Sequence, residues 1–411
     1  MTSLKSVILA AGKGTRLEPI TTNRPKHILE IAGKSILQRI IDSLVSTKYI
    51  DEIIIVTHHH ESQIKKHIAD NYPDISSKFT YVFQKEPNGT GGALQAALPY
   101  LDNTDSVLVM YGDLIVGNGI AEIVRLFQQD PSKGYVLGAK VEHPENYGCL
   151  QLSGNIITGI NEKNPDAPKD SLINAGVFIF PPNIQQVVQN ISLSERGELE
   201  LTDVILADKD NEYLVCEIVE GWFDIGRPWE LINANEYLIG VESDNYQVLG
   251  DVEDGVQLKG KVYVAKTAKL LSGTYVEGDV YIDEGAILGP NCYIRGSSYV
   301  GKDVRIGNAC EIKNSLIYEG THAAHLSYVG DSVIGMNCNL GAGTITANLR
   351  HDNGNVKFTV KNKRVITNRR KLGMIMGDNS KTGIGVNILP GVKIKSGTLI
   401  NAGELVSRDI S

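Results

Sequence analysis

Between Leu9 and Lys26 the chain reads LAAGKGTRLEPITTNRPK, which gathers Gly12, Gly14, Thr15, Arg16 and Lys26 directly after an apolar run. The two glycines let backbone N–H groups approach a phosphate chain closely, and Arg16 and Lys26 supply positive charge that can follow charge developing at phosphorus. The segment is not a dinucleotide fingerprint, because Leu17 stands where G-x-G-x-x-G needs its third glycine. It is not a Walker A loop either, because Gly14 follows Gly12-Lys13 where Ser or Thr is required. A second cluster, His58-His59-His60, suggests a metal, but three adjacent side chains cannot all face one ion. It reads as a solvated loop.

The elements that must position these residues fall into two regimes. Up to about residue 240, strand-like runs (SVILA, EIIIVT, DSVLVMYGD) alternate with helix-like ones (SILQRIIDSLV, ESQIKKHIADN). That alternation predicts βαβ units in a mostly parallel sheet, with ligands at the carboxyl ends of the strands. From Leu258 to Ile312 an aliphatic residue then recurs at every sixth position, with small or β-branched residues such as Ala268, Ala286, Cys292 and Val304 four places after each. This period predicts a hexapeptide parallel β-helix. The period slips near 319–333, resumes at Ile334 and Leu340, and is lost in the polar stretch at about 345–372, where an arm leaves the helix. It returns at Met376, Thr382, Ile388, Ile394, Ile400 and Val406. Residues on the lattice are core, so function is sought off it.

Length and composition agree. A chain of 411 residues, 42% hydrophobic and 21% charged, suits two globular domains. No apolar run approaches the ~20 residues that span a bilayer, and the N-terminus lacks a signal-peptide core, so a cytoplasmic protein without membrane partners is expected. A net charge of -8 disfavours a general nucleic-acid binder. The five cysteines are scattered without C-x-x-C pairing, which argues against a zinc site or disulfide framework.

The Leu9–Lys26 segment resembles the signature of sugar-1-phosphate nucleotidylyltransferases, a G-x-G-T-R loop followed by x-R-P-K. The resemblance places Leu9, Ala10, Ala11, Gly12, Gly14 and Thr15 at the nucleotide, with Arg16 and Lys26 catalytic. It continues to residue 240 and implies base reading by Gln84, Gly89 and Thr90, with Tyr111 and Gly112 also at the nucleotide. Sugar contacts fall on Gly148 in Asn146-Tyr147-Gly148, on Glu162 and on Asn174; Asp113 and Asp224 match the metal carboxylates. One or two carboxylates with substrate oxygens is the usual arrangement for Mg2+ in phosphoryl chemistry. The implied reaction is in-line attack of a sugar-phosphate oxygen on the α-phosphorus of a nucleoside triphosphate, releasing pyrophosphate.

Off the hexad lattice, HAAHLSYVGDSVIGMNCNLGAGTITAN (322–348) resembles the acetyltransferase half of the bacterial bifunctional glucosamine-1-phosphate acetyltransferase and uridylyltransferase family. The family's helix is left-handed. The resemblance implies that His325 is the general base toward the sugar amine, a task suited to an imidazole. It implies that Arg295 and Lys313 bind phosphate, that Tyr328 and Asn339 touch sugar, and that Ala342, Asn348 and Ala402 contact acetyl-CoA. Enzymes of this kind are usually homotrimers. The chain departs from the pattern in three places. Around Arg295 the sequence NCYIRGSS lacks the family's surroundings, so that match rests on register. Gly377-Asp378 replaces a serine near the coenzyme, and a C-terminal extension carrying a further arginine is expected to be missing. The x-P-I-T-x-x-R-P-K motif is also closer to the glucose-1-phosphate thymidylyl and uridylyl enzymes.

The expectation is therefore a Rossmann-like nucleotidyltransferase domain over 1–240 and a hexapeptide β-helix acetyltransferase domain over 241–411. It would acetylate glucosamine 1-phosphate and transfer a nucleotidyl group from UTP or dTTP to N-acetylglucosamine 1-phosphate or glucose 1-phosphate. Two readings compete with it: a monofunctional nucleotidylyltransferase whose β-helix only assembles the oligomer, and a non-catalytic regulatory subunit. The latter is disfavoured by the presence of Arg16, Lys26, Asp113 and Asp224.

Overall fold

A computed structural model describes residues 4–194, 196–218 and 220–410. They form two compact units. The first comprises Met1–Lys13, Pro25–Ile28 and Ser35–Asp224; the second comprises Gly14–Arg24, Leu29–Lys34 and Ile225–Ser411.

In the first unit, strands β1 (Leu4–Ala10), β2 (Ile50–Thr57), β3 (Phe79–Phe83), β4 (Ser106–Tyr111), β5 (Leu114–Val116), β6 (Gly134–Lys140), β7 (Gly148–Ser153), β8 (Ile156–Glu162), β9 (Leu172–Phe180), β10 (Tyr213–Ile218) and β11 (Trp222–Asp224) follow in chain order. Nine of them make one sheet in the order β3-β2-β1-β4-β9-β6-β10-β8-β7, while β5 and β11 pair separately. β1 is parallel to both β2 and β4, with Ala10 opposite Thr57 and Leu9 opposite Tyr111. The apolar run of β1 is buried almost throughout, as expected for a parallel strand covered on both faces. Helix α1 (Ile36–Ser46) begins at a capping box: Ser35 Oγ accepts from Gln38 N at 3.0 Å and Gln38 Oε1 accepts from Ser35 N at 2.8 Å. Ile36, Leu37, Ile40, Ile41 and Leu44 form its buried stripe. Because β1, β2 and β4 end in register, the segments after Ala10, Thr57 and Tyr111 leave from one edge of the sheet, where α/β folds bind ligands.

The second unit is a left-handed parallel β-helix with three flat sheets of eight, eight and seven strands. One coil takes eighteen residues, three hexads, as in the pairing of Leu270 with Leu288 and of Val276 with Ile294. The lattice residues Val264, Leu270, Val276, Ile282, Leu288, Ile294, Val300, Ile306 and Ile312 are fully buried and stack into one core. Truncating any of them to alanine leaves a cavity that costs about 2–5 kcal/mol.

The slip read near 319–333 is in fact two separate one-residue shortenings. Glu311 pairs with Tyr293 eighteen residues back but with Tyr328 only seventeen on, and Arg305 likewise pairs with His322. The lattice runs on through Ile317, Ala323, Val329, Ile334, Leu340 and Thr346, with five-residue steps only at Ile312–Ile317 and Val329–Ile334. Both short steps turn the same corner of the helix through a left-handed residue, Asn314 (φ 48°) in one and Asp331 (φ 48°) in the other. The arm expected at about 345–372 also leaves and returns at this corner: Leu372 N donates to Asn348 O at 2.9 Å and Gly373 N to Asp331 O at 2.8 Å. It carries an antiparallel hairpin, Lys357–Val360 with Lys363–Ile366.

Candidate functional sites

At the sheet edge of the first unit, the Lys26 ammonium forms an ion pair with the Asp113 carboxylate; the two side chains are 13% and 14% exposed. Gly112 N donates to Leu9 O at 2.9 Å, tying the Asp113 corner to the end of β1. Leu9, Ala10 and Ala11 are buried as that strand end. A Cβ on Gly12 would stand 3.3 Å from Lys26 Cε and Nζ, so glycine there leaves the ammonium its room. Asp224 pairs opposite Leu114 in the β5–β11 ladder, which places it one ladder position from Asp113. Two carboxylates beside one lysine fit a hard cation that takes its other ligands from phosphate oxygens and water. Among the described residues no group of three or more His, Cys, Asp or Glu could hold a metal unaided.

His27, which sequence reasoning passed over, lies against this pair. It is buried, neither ring nitrogen has a hydrogen-bond partner among the described residues, and burial together with the Lys26 charge pushes it down to about 3. It is therefore a neutral wall that gives Lys26 and Asp113 a drier setting, and a drier setting strengthens their attraction.

Of the predicted base readers, Gln84 is buried and its amide donates to Asn88 Oδ1 at 3.1 Å and Gly89 O at 3.3 Å. Gly89 has φ 112° where it passes the Leu199 backbone, and Thr90 Oγ1 accepts from Leu201 N at 3.0 Å. The Tyr111 phenol bonds to Thr90, and burial raises it above its usual range. The three histidines form the turn between β2 and the helix Glu61–Asn71, with His60 exposed as expected of a solvated loop but His58 and His59 half-buried. His58 Nδ1 bonds the Gln84 carbonyl at 2.7 Å, its ring stacks on Phe83, and the His59 ring meets it edge-on.

Gly148 and Glu162 pair across β7 and β8, and a Cβ on Gly148 would come within 2.7 Å of Glu162 Oε1. Glu162 accepts from Thr202 Oγ1 at 3.3 Å, and burial raises its carboxyl above the ordinary range. It lines a cavity of 650 Å³ together with Lys163, Arg196, Glu200 and Asp203. Asn174 Oδ1 accepts from Gly176 N at 2.9 Å and braces the turn of its own strand.

In the second unit, Gly14 adopts a left-handed conformation (φ 70°) and heads the short turn Thr15–Leu17, while Thr21 Oγ1 donates to its carbonyl at 2.8 Å. Arg16 is exposed and its guanidinium lies over Gly226, where a Cβ would meet Nη2 at 2.9 Å.

The β-helix brings four of the predicted residues together. Arg295 and Lys313 stand opposite each other on adjacent rungs, about 4.8 Å apart in the ladder direction. Arg295 Nε donates to Glu311 at 2.7 Å, and Lys313 Nζ to Asp331 at 2.8 Å. Asn348 Nδ2 reaches Asp331 Oδ2 at 2.5 Å and the Tyr328 hydroxyl at 3.3 Å. A Cβ on Gly330 would come within 2.7 Å of that amide. Burial raises the Tyr328 phenol, helped by Glu311 and Asp331. Asp331, 2% exposed, is the hub of this cluster and was missed in the sequence. The five-residue step from Val329 to Ile334 was its available signal.

His325 ends the strand His322–His325 and is exposed; Asn339 stands opposite His322 on the same sheet. His325, Ala342 and Ala402 each fall two residues after an inward lattice position (Ala323, Leu340, Ile400), so they share one edge of the helix. No hydrogen bond among the described residues ties this file to the Arg295–Asn348 cluster.

With this geometry in view, the nucleotidyl transferase family model matches residues 5–239 and the GMPPB C-terminal domain model matches 276–371. A protein of Sulfurisphaera tokodaii described as a bifunctional sugar-1-phosphate nucleotidylyltransferase/acetyltransferase is 42% identical over 99% of this chain and 98% of its own. The chain belongs to that family. Bifunctional protein GlmU of Methanocaldococcus jannaschii is 41% identical over 99% of this chain and 96% of its own. Among solved structures, a Bacillus anthracis chain described as a glucose-1-phosphate thymidylyltransferase superposes with a TM-score of 0.52 at 28% identity, covering 57% of this chain and 95% of that one.

Proposed function

We propose that the chain carries out two steps of nucleotide-sugar synthesis, divided near residue 240. In the first, the β-helix transfers acetyl from acetyl-CoA to glucosamine 1-phosphate. In the second, the α/β part transfers a nucleotidyl group from UTP or dTTP to N-acetylglucosamine 1-phosphate or glucose 1-phosphate. The observation that carries the reading is the Lys26–Asp113 pair with Asp224 one ladder position away, at the strand ends where a triphosphate fits.

In the nucleotidyl step a sugar-phosphate oxygen attacks the α-phosphorus, the new P–O bond forms, and the bond to pyrophosphate breaks. Asp113 and Asp224 would hold Mg2+, which would offset negative charge on the phosphates. Lys26 and Arg16 follow the charge on the transferring and leaving oxygens, and the backbone at Gly12 and Gly14 approaches the phosphate chain. Gln84, Gly89, Thr90, Tyr111 and Gly112 hold the nucleoside, while Gly148, Glu162 and Asn174 hold the sugar.

In the acetyl step the sugar amine attacks the thioester carbonyl, the C–N bond forms, the C–S bond breaks, and His325 takes the amine proton. Arg295 and Lys313 fix the sugar phosphate by exchanging their carboxylate partners for it. Tyr328 and Asn339 orient the ring, and Ala342, Asn348 and Ala402 border the coenzyme.

The exposed apolar side chains Leu326, Ile384, Leu399 and Leu405 on the β-helix, 60–73% exposed, support a homotrimer that covers them. No described helix is long and apolar enough to cross a membrane, and the five cysteines are free and buried, which supports a reducing, cytoplasmic setting. Mass spectrometry of products formed from mixed nucleotides and sugar phosphates, with and without acetyl-CoA, tests both steps. Failure of glucosamine 1-phosphate to gain an acetyl group would leave the β-helix as a scaffold.

A further inference from the structure

The buried carboxylate of Asp331 divides its two oxygens between two sets of donors. Oδ2 accepts from Lys313 Nζ at 2.8 Å and from Asn348 Nδ2 at 2.5 Å. Oδ1 accepts from Asn314 Nδ2 at 2.9 Å and faces Arg369 Nη2 at 3.7 Å. Arg369 stands near the end of the arm that leaves this corner, and it is built in. Its carbonyl accepts from Val356 N at 2.8 Å, its Nε donates to Lys371 O at 3.2 Å, and its side chain is 14% exposed, so water screens the charge little. Against it lies the helix Pro228–Glu242, where Glu236 Oε1 accepts from Arg369 Nη2 at 2.7 Å and from Asn314 Nδ2 at 2.6 Å, and Asn233 takes a bond from Nη1. Asp331, Arg369, Glu236 and Asn314 thereby close a ring, with Lys313 attached to it through Asp331 Oδ2. Among the described residues, Lys313 and Arg369 are the cations paired with Asp331, and only the first comes from the regular coils.

A phosphate bound by Lys313 has to draw the ammonium away from Asp331. Stripping a buried carboxylate of its cation is costly, because no water replaces the partner. Were Lys313 the sole cation, that cost would be set against phosphate binding. With Arg369 on the other oxygen, Asp331 keeps a cation when Lys313 leaves. Nη2 carries a second N–H to offer it, beyond the one engaged by Glu236. Arginine suits the place, since its guanidinium does not give up its proton inside a protein.

We propose that Arg369 is a positioning residue for the acetyl step: it holds the charge of Asp331 so that Lys313 can pass from that carboxylate to the phosphate of glucosamine 1-phosphate. The inference rests on the acetyl-transfer reading above. It also gives the arm a task, the delivery of a second cation to a carboxylate that the coils enclose with Lys313 alone.

Arg369→Met in the full chain removes the charge and keeps much of the stem, and Glu236, 37% exposed, can turn to water. KM for glucosamine 1-phosphate should rise roughly tenfold, a coupling usual between neighbours in one ion-pair network. The acetyl-transfer kcat should stay near wild type, as when binding common to ground and transition states is lost. Calorimetric titration with glucosamine 1-phosphate should show the same rise in Kd without turnover. Two further variants separate the charge from the fold. Glu236→Gln loosens the arm's hold on the helix but leaves Arg369 beside Asp331, so KM should stay at the wild-type value; a rise equal to that of Arg369→Met would make Arg369 an anchor of the arm alone and overturn the inference. In an Asp331→Asn background there is no charge to hold, and Arg369→Met should there leave KM unchanged. A rise by the same factor in both backgrounds would mean that the arm merely attracts phosphate at a distance. That result, or a wild-type KM in Arg369→Met alone, overturns the inference too. If Asp331→Asn does not fold, the contrast between Arg369→Met and Glu236→Gln decides. A wild-type protein that neither binds nor acetylates glucosamine 1-phosphate would instead remove the reading beneath it.

Discussion

The two halves of this molecule record their sites in different ways. In the α/β unit, Lys26, Asp113, Glu162 and Asp224 come from segments far apart in sequence, and no period relates one to another. β1 and the strand before Asp113 stop in register, and there Lys26 meets Asp113 with Asp224 one ladder position away, while Glu162 stands at the end of its own strand against Gly148 and Thr202. In the β-helix the backbone repeats, so a site shows where the repeat is broken. Both shortened steps and the departure and return of the arm fall on one corner, beside Lys313, Tyr328, Asp331 and Asn348. In a solenoid, then, the defects in the lattice are better guides to chemistry than its motifs. The two activities should also be separable by mutation.

The sharpest break between the halves should come from Asp113→Asn. One carboxylate charge on the cation is lost while shape is kept, so nucleotidyl transfer should fall by roughly 10³-fold or more, several kcal/mol of charge stabilisation. Acetyl transfer should survive. Pyrophosphate release at the wild-type rate by the purified variant would take Asp113 out of the metal site.

The mirror experiment is His325→Ala. The side chain is exposed at the end of a regular rung, so its loss opens no core cavity. Folding and nucleotidyl transfer should be nearly unchanged, while acetyl transfer should drop by about 10²–10⁴-fold, the usual worth of a general base. Wild-type acetylation by this variant would leave the β-helix without its base.

Legibility followed the same division. The hexad period displayed the β-helix core residue by residue, because each inward position sees the same environment. The two short steps looked like one long slip, since a one-residue deletion shifts everything after it and a fixed period cannot tell a deletion from disorder. Asp331 and Glu311 escaped notice because their work is pairing cations across rungs, and sequence spacing does not reveal which rungs are neighbours once the step changes. In the α/β half, Lys26 and Asp113 stood out by motif. The burial of His27 did not, because an adjacent charged residue makes a histidine look solvated.

His27 sharpens the comparison through pH. Its folded pKa is about 3, against about 6.5 in an unfolded chain. Between those values the unfolded state binds a proton that the folded state refuses, so stability of the α/β unit falls as pH falls through that window. The slope approaches ~1.4 kcal/mol per pH unit. Hydrogen exchange in the core strands at a series of pH values should show protection lost in the α/β sheet over that range, and His27→Leu should flatten the trend. An unchanged slope in the variant would assign acid sensitivity to other groups.

The smallest expected effect tests whether the repeat makes energetics transferable from coil to coil. One corner of the helix is turned by a left-handed residue in coil after coil: Gly273 (φ 77°), Asn291 (φ 52°), Ala309 (φ 56°), Leu326 (φ 52°), Gly343 (φ 76°), Gly385 (φ 69°) and Gly403 (φ 72°). An L-residue there pays roughly 1–2 kcal/mol in Cβ–carbonyl crowding, partly offset by the extra freedom that glycine gives the unfolded chain, roughly 0.5–1 kcal/mol. Ala309 is exposed and carries only a methyl group to lose. Ala309→Gly should therefore stabilise the β-helix by up to about 1 kcal/mol, and Gly343→Ala, two coils on, should destabilise it by a similar amount. Neither should alter nucleotidyl transfer. Calorimetric melting of the two variants checks the pair together: opposite shifts of similar size mean that the corner is one environment repeated, whereas shifts of the same sign would show that neighbouring coils, and not the shared backbone, set the energy at each turn.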